Sequence, residues 1–165
     1  MLLGEILHRG VIKPELAAQE KYAAVDELIE LLIEAKDLPR HLRDAVRDVV
    51  LTRERSMSTG MEMGIALPHG SCDRIENMIG ALGISREGIE FDCLDGEPAR
   101  LVLLLVLPRH EFQIHVRTLA GISHLLQETT FRDALMTAKD PDTILKLIRS
   151  EEQSSIFDGF RRRFK

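Results

Sequence analysis

A single α/β layered domain is expected from three features of the chain. Its 165 residues suit one compact domain and suffice to bury a sizeable core without staples. The spacing of its apolar residues is helical towards both ends and strand-like in the middle. The run Leu101 to Leu107 is apolar at every position, as a central strand covered on both faces should be. Helices at both ends with strands between them make a layered α/β domain.

Taken in order, Pro14 to about Ala35 reads as a helix. Val25, Leu28, Ile29 and Leu32 form one stripe, Glu20, Glu27, Glu30 and Glu34 lie opposite, and Pro14 suits a first helical turn. Pro39 opens a second helix, with Leu42, Val46, Val49 and Val50 as its stripe through about Thr52. Gly64-Ile65-Ala66-Leu67 is a short apolar run that Pro68 stops. Met78 to Ile84 is too rich in glycine for a good helix. Gly88 to Asp92 alternates with a period of two, and Asp95-Gly96 signals a turn before the central strand, which ends at Pro108. Helical stripes return with Ile114, Leu119, Ile122 and Leu125-Leu126, then with Phe131, Leu135 and Met136. Asp140 is placed to cap a last helix starting at Pro141. Residues 151–165 read as a basic, mobile tail. Its run Phe160 to Lys165 is either a solvated end or a contact for an acidic partner or an anionic membrane surface.

Composition narrows the function classes. With 22 basic and 27 acidic residues the net charge is -5, which argues against nucleic-acid binding over a broad surface. The two cysteines, Cys72 and Cys93, form no disulfide framework and suit a reducing, cytoplasmic setting. No apolar run approaches the ~20 residues of a membrane span, and Glu5 interrupts any signal-like run, so no integral membrane segment is expected.

Of six histidines, His8, His41 and His124 read as ordinary turn or helix residues, and His110, beside Arg109, as a solvated loop residue. His69 has a different setting. It follows an apolar strand and Pro68, and Gly70 after it lets the backbone turn sharply and another molecule approach. Strand ends are where ligands bind in α/β sheets. Local chemistry alone leaves two readings of His69 open, a presented imidazole or an ordinary loop residue. The zinc-ligand types His69, Cys72, His110 and His115 fit no paired spacing, so no metal and no cofactor are expected.

The stretch from Arg53 to Gly70 adds more. Arg53-Glu54, then Thr59-Gly60, then Gly64-Ile65-Ala66-Leu67-Pro68-His69 resembles the active-site segment of IIA domains of the bacterial phosphoenolpyruvate-dependent phosphotransferase system, in the mannitol, fructose and nitrogen-regulatory class. Leu3 to Leu7, the strands Ile89 to Phe91 and Leu101 to Pro108, and the segment bearing His115 follow in family order, so the resemblance covers residues 1–150. It implies a mixed β-sheet flanked by helices on both faces. It makes His69 the phosphoryl acceptor. Arg53, sixteen residues earlier, becomes the phosphate-stabilising cation, and His115, forty-six residues later, a second donor or charge.

Those residue types suit the chemistry. A neutral imidazole is a good nucleophile near pH 7, and an arginine fork matches phosphate oxygens. The resemblance implies an HPr-type phosphocarrier protein as donor. The recipient of the signal is either a regulated target protein or a IIB protein in sugar transport. A chain carrying neither a IIB nor a membrane segment leans towards the regulatory branch, as does Ser58-Thr59-Gly60. A partner-binding module that is never phosphorylated is the third reading. Met61 and Met63 are expected to form an adaptable apolar rim near His69.

Overall fold

The computed structural model describes residues 2–110 and 112–163. Helix α1 (Leu3–Ile6) leads through a 3-10 turn into strand β1 (Ile12–Lys13). Helices α2 (Lys21–Glu34) and α3 (Arg43–Ser56) follow, then strands β2 (Ile65–Ala66), β3 (His69–Cys72), β4 (Ile79–Ile89) and β5 (Ala99–Pro108). Helices α4 (Phe112–Leu126), α5 (Thr129–Thr137) and α6 (Pro141–Arg163) close the chain.

The five strands make one mixed sheet in the order β1-β4-β5-β2, with β3 also on β5. Strand β5 is its spine. It runs antiparallel to β4, with Leu82 opposite Leu103, and parallel to β2 and β3 in line along its other edge. Successive side chains of a strand point to opposite faces. Leu103 and Leu104 are both fully buried, so both faces of β5 are covered. Contacts of α2 with β4, α3 with β3 and α6 with β1 provide the helical layers.

Three elements differ from the sequence reading. Helix α2 begins at Lys21, not near Pro14. Ile12 and Lys13 pair with Leu82 and Gly83 as an edge strand, and the Leu16 N–H then donates to the Ile84 carbonyl at 2.7 Å. Pro14 therefore follows a strand instead of starting a helix. The two runs between Met78 and Asp92 merge into β4, with an irregularity between Ile84 and Ile89 where Gly88 takes φ +86°. The expected tail continues α6, whose Asp140 cap accepts the Thr143 N–H at 2.8 Å. Position 150/151 thus falls inside one helix. Phe164 and Lys165 lie outside the described residues, as does the Phe160 side chain. No described helix is long and apolar enough to cross a membrane.

Candidate functional site

Pro68 divides β2 from β3 without turning the chain away from β5. Ala66 pairs with Val102 and His69 with Leu105, while the Pro68 carbonyl accepts the Leu105 N–H at 3.0 Å. His69 therefore opens β3 on the sheet's spine. Gly70 is extended in β3, and its missing Cβ serves packing within the chain. A methyl there would lie 2.9 Å from both Val50 N and Val49 Cγ2 of α3. The close approach expected from another molecule is made by this helix.

The hairpin before β2 has a buried foundation. Met63 and Gly64 turn it with φ of 65° and 75°. Its arms are joined by Leu67 N–H to Thr59 O at 3.1 Å and Met61 N–H to Ile65 O at 2.8 Å. Thr59 is tied in turn to Glu54. Its N–H donates to both carboxylate oxygens at 3.0 and 3.2 Å, and its hydroxyl donates to Oε2. The Glu54 side chain is 0% exposed, and its charge is met by Lys21 Nζ at 2.8 Å. Lys21 also reaches Asp92 at 3.0 Å and lies over the Phe91 ring at 5.2 Å. Burial pulls the Lys21 ammonium down, but its hydrogen bonds and charge pairing with Glu54 and Asp92 outweigh this and raise its pKa.

Arg53, His69 and His115, the three residues picked out in the sequence, line one cleft of about 550 Å³. Arg53 comes from the last turn of α3, where its Nη1 donates to the Met57 carbonyl at 2.8 Å. His115 comes from α4 and is buried. His69 is half-buried, and its Nδ1 lies 2.9 Å from the Leu67 carbonyl oxygen. A carbonyl can only accept, so Nδ1 carries the hydrogen and Nε2 keeps its lone pair. Burial first, and the Arg53 charge second, hold His69 below its ordinary 6.5, against the raising effects of the Leu67 hydrogen bond and Glu54. The ring is thus neutral at pH 7, with the lone pair on Nε2.

Arg109 and Ser71 line the same cleft and were not singled out in the sequence. Lys21 was missed as well, because a helical lysine reads as solvated until the fold shows what it meets. The expected methionine rim is not on this cleft. Met63 is exposed on the hairpin turn and Met61 packs against the core, while Val49, Val116 and Leu119 supply the apolar wall. His110 is exposed, and Cys72 and Cys93 are both buried free thiols. Among the described residues, no group of three or more His, Cys, Asp or Glu side chains is placed to hold a metal ion.

Known proteins share this sequence and architecture. The chain is 31% identical over 153 residues to the "PTS system fructose-specific EIIABC component" of Bacillus subtilis (strain 168), a match covering 93% of this chain and 24% of that protein. It thus spans about a quarter of that relative's length. The crystal structure of nitrogen regulatory protein IIA-Ntr from Neisseria meningitidis superposes with a TM-score of 0.80 at 27% identity, covering 88% of this chain and 98% of that one. The fold is shared too with the Escherichia coli mannitol IIA enzyme solved in complex with its phosphorylated IIB partner (TM-score 0.71, 22% identity, 87% of this chain and 97% of that one). Residues 5–151 match the family described as "Phosphoenolpyruvate-dependent sugar phosphotransferase system, EIIA 2", and with the fold in agreement the chain belongs to that family of phosphotransfer components.

Proposed function

We propose that His69 accepts a phosphoryl group on Nε2 from an HPr-type phosphocarrier protein and that its phosphorylation state regulates a target protein. The observation that carries this is the Leu67 carbonyl 2.9 Å from Nδ1, which leaves Nε2 unprotonated in the cleft that Arg53 shares.

In the transfer, the donor's N–P bond breaks and its electron pair returns to the donor nitrogen. The Nε2 lone pair makes the new N–P bond, and Nδ1 keeps its proton throughout. The ring gains positive charge as it bonds to phosphorus, and the Leu67 carbonyl stabilises it. Charge spreads over the phosphoryl oxygens in the in-line transition state. Arg53, oriented by Met57, meets those oxygens with a charge-assisted fork. His115 supplies a second donor from α4. The apolar wall around Val49, Val116 and Leu119 is the docking rim for the carrier.

The regulatory reading is favoured by the likeness to nitrogen regulatory protein IIA-Ntr, which spans 98% of that chain. The alternative, onward transfer to a separate IIB protein, is favoured by the complex formed by the mannitol enzyme. The test is incubation with phosphoenolpyruvate, enzyme I and HPr, followed by intact mass under alkaline conditions. One acid-labile phosphate per chain, absent in His69→Ala, is expected. Arg53→Ala should slow its formation about 10²–10³-fold. No phosphate on folded wild-type protein, from HPr or its nitrogen-branch relative, overturns the proposal. Persistent phosphate with state-dependent target binding separates regulation from rapid discharge to IIB.

A further inference from the structure

A second arginine, Arg109, lines the cleft besides Arg53. Arg109 follows β5 directly, and Asp73 follows β3 directly, just beyond the strand pair Cys72–Pro108. The two form a two-pronged ion pair, Nε to Oδ1 at 2.7 Å and Nη1 to Oδ2 at 3.2 Å. Their strands are the same parallel pair that begins with His69 opposite Leu105. Arg109 lines the cleft with His69, Arg53 and His115, and Asp48 is the carboxylate on that wall.

Two properties make this pair an exchangeable one. Both side chains are about two-thirds exposed, 67% for Arg109 and 63% for Asp73, so water screens their attraction. The pair also occupies only two of the five N–H donors of the guanidinium. A phosphoryl group on histidine brings up to two negative charges and three acceptor oxygens, against one charge on the carboxylate. A phosphoryl group within reach of the guanidinium is therefore the stronger competitor for the fork.

We infer that Arg109 is a second phosphoryl-binding cation of this cleft, held by Asp73 while the site is empty and passed from Asp73 to the phosphoryl group once it is loaded. This rests on His69 as the acceptor and deepens that reading. The exchange leaves the exposed Asp73 carboxylate without its arginine, so a docking partner meets a different charge pattern in each state. Arg109 is a binding residue here, and Asp73 a positioning residue that acts through it.

Inorganic phosphate titrated into the full chain tests this without any carrier. The readouts are the His69 ring signals and the arginine Nε–H signals in NMR. Arg109→Gln should weaken phosphate binding about tenfold, the loss of a charge-assisted donor. Asp73→Asn should tighten it about threefold by removing the competitor. The double variant should match Arg109→Gln, because Asp73 acts only through Arg109. Arg109→Gln within twofold of wild type overturns the inference, and so does weakened binding in Asp73→Asn, which would make the pair a structural tether.

Charging the wild type with phosphoramidate then tests the exchange itself. The reagent's P–N bond breaks, ammonia leaves with the electron pair, and Nε2 takes the phosphoryl group. The Arg109 Nε–H signal and the Asp73 carboxylate signal should both shift; a phospho-form in which neither moves overturns the exchange. If His69 takes phosphate neither from phosphoramidate nor from a carrier, the proposed function fails, while the phosphate titration still scores Arg109.

Discussion

Lys21→Met is expected to damage the chain more than any other single exchange of a lysine side chain for an apolar one. Glu54 and Lys21 lie 2.8 Å apart with 0% and 11% side-chain exposure. At an effective dielectric constant of about 20, unit charges at that distance attract by about 6 kcal/mol before desolvation. Methionine keeps most of the volume but leaves the carboxylate buried with only the Thr59 donors. Removing one partner of a buried pair costs about 3–5 kcal/mol, and the residual exposure of Lys21 favours the lower figure. For 165 residues, about 3 kcal/mol corresponds to a Tm loss of about 6–12 °C. Urea unfolding followed by circular dichroism at pH 7 measures it. The double variant Lys21→Met/Glu54→Gln removes the stranded charge and should recover at least about half of the loss. Because the Lys21 pKa is raised, the stability its ammonium contributes beside an ionised carboxylate is present at neutral pH and is lost on the alkaline side, as pH rises from 10.5 through the higher folded value. The reasoning is refuted if Lys21→Met costs less than about 1 kcal/mol, or if the double variant is no more stable than the single.

Three further outcomes are expected. His69 should titrate below 6.5 by NMR, and Arg53→Gln should raise it only part of the way, since burial is the larger cause. The unfolded chain takes up that proton first, so stability should fall as pH drops from above 6.5 towards the folded value, and His69→Gln should flatten the slope in urea melts. Gly70→Ala puts a methyl against the α3 backbone, so it should cost about 1–3 kcal/mol by urea melt and slow phosphorylation by displacing Arg53, one turn further on. Burial raises the Glu152 carboxyl, so its charged form opposes folding as pH climbs above 4.5. Glu152→Gln keeps an acceptor for the Gly4 N–H and should remove that pH dependence in thermal melts, whereas Glu152→Ala orphans the N–H and should cost about 1 kcal/mol.

Much of the site was legible because its cues are local. Pro68 before His69 marks a strand break, and the uniform apolar run through β5 marks a spine covered on both sides. The cap at Asp140 was readable for the same reason. What local cues cannot report is a partner far along the chain. Pro14 is as compatible with a helix start as with a strand end, and the pairing of Ile12 with Leu82 decides between them. The direction of Met63 depends on a left-handed turn, so its place in the sequence near His69 did not put it on the cleft. Gly70 likewise gave no sign that its missing side chain would be filled by a helix.

The adjacency of Arg53 and Glu54 has a geometric reason. Consecutive residues of a helix point about 100° apart, so one turn of α3 can send Arg53 into the cleft while Glu54 enters the interior. A buried carboxylate bound to Lys21 and Thr59 fixes how α3 is rotated about its axis, and that rotation aims Arg53. The same Thr59 holds Leu67 through its carbonyl, and Leu67 holds the His69 proton on Nδ1. Lys21, which lines no part of the cleft, thus bears on both the position of Arg53 and the tautomer of His69. A loosened Lys21–Glu54 pair should therefore impair phosphotransfer before it unfolds the chain, since Arg53 and His69 need a spacing and a protonation state, whereas the core around β5 needs only to stay dry.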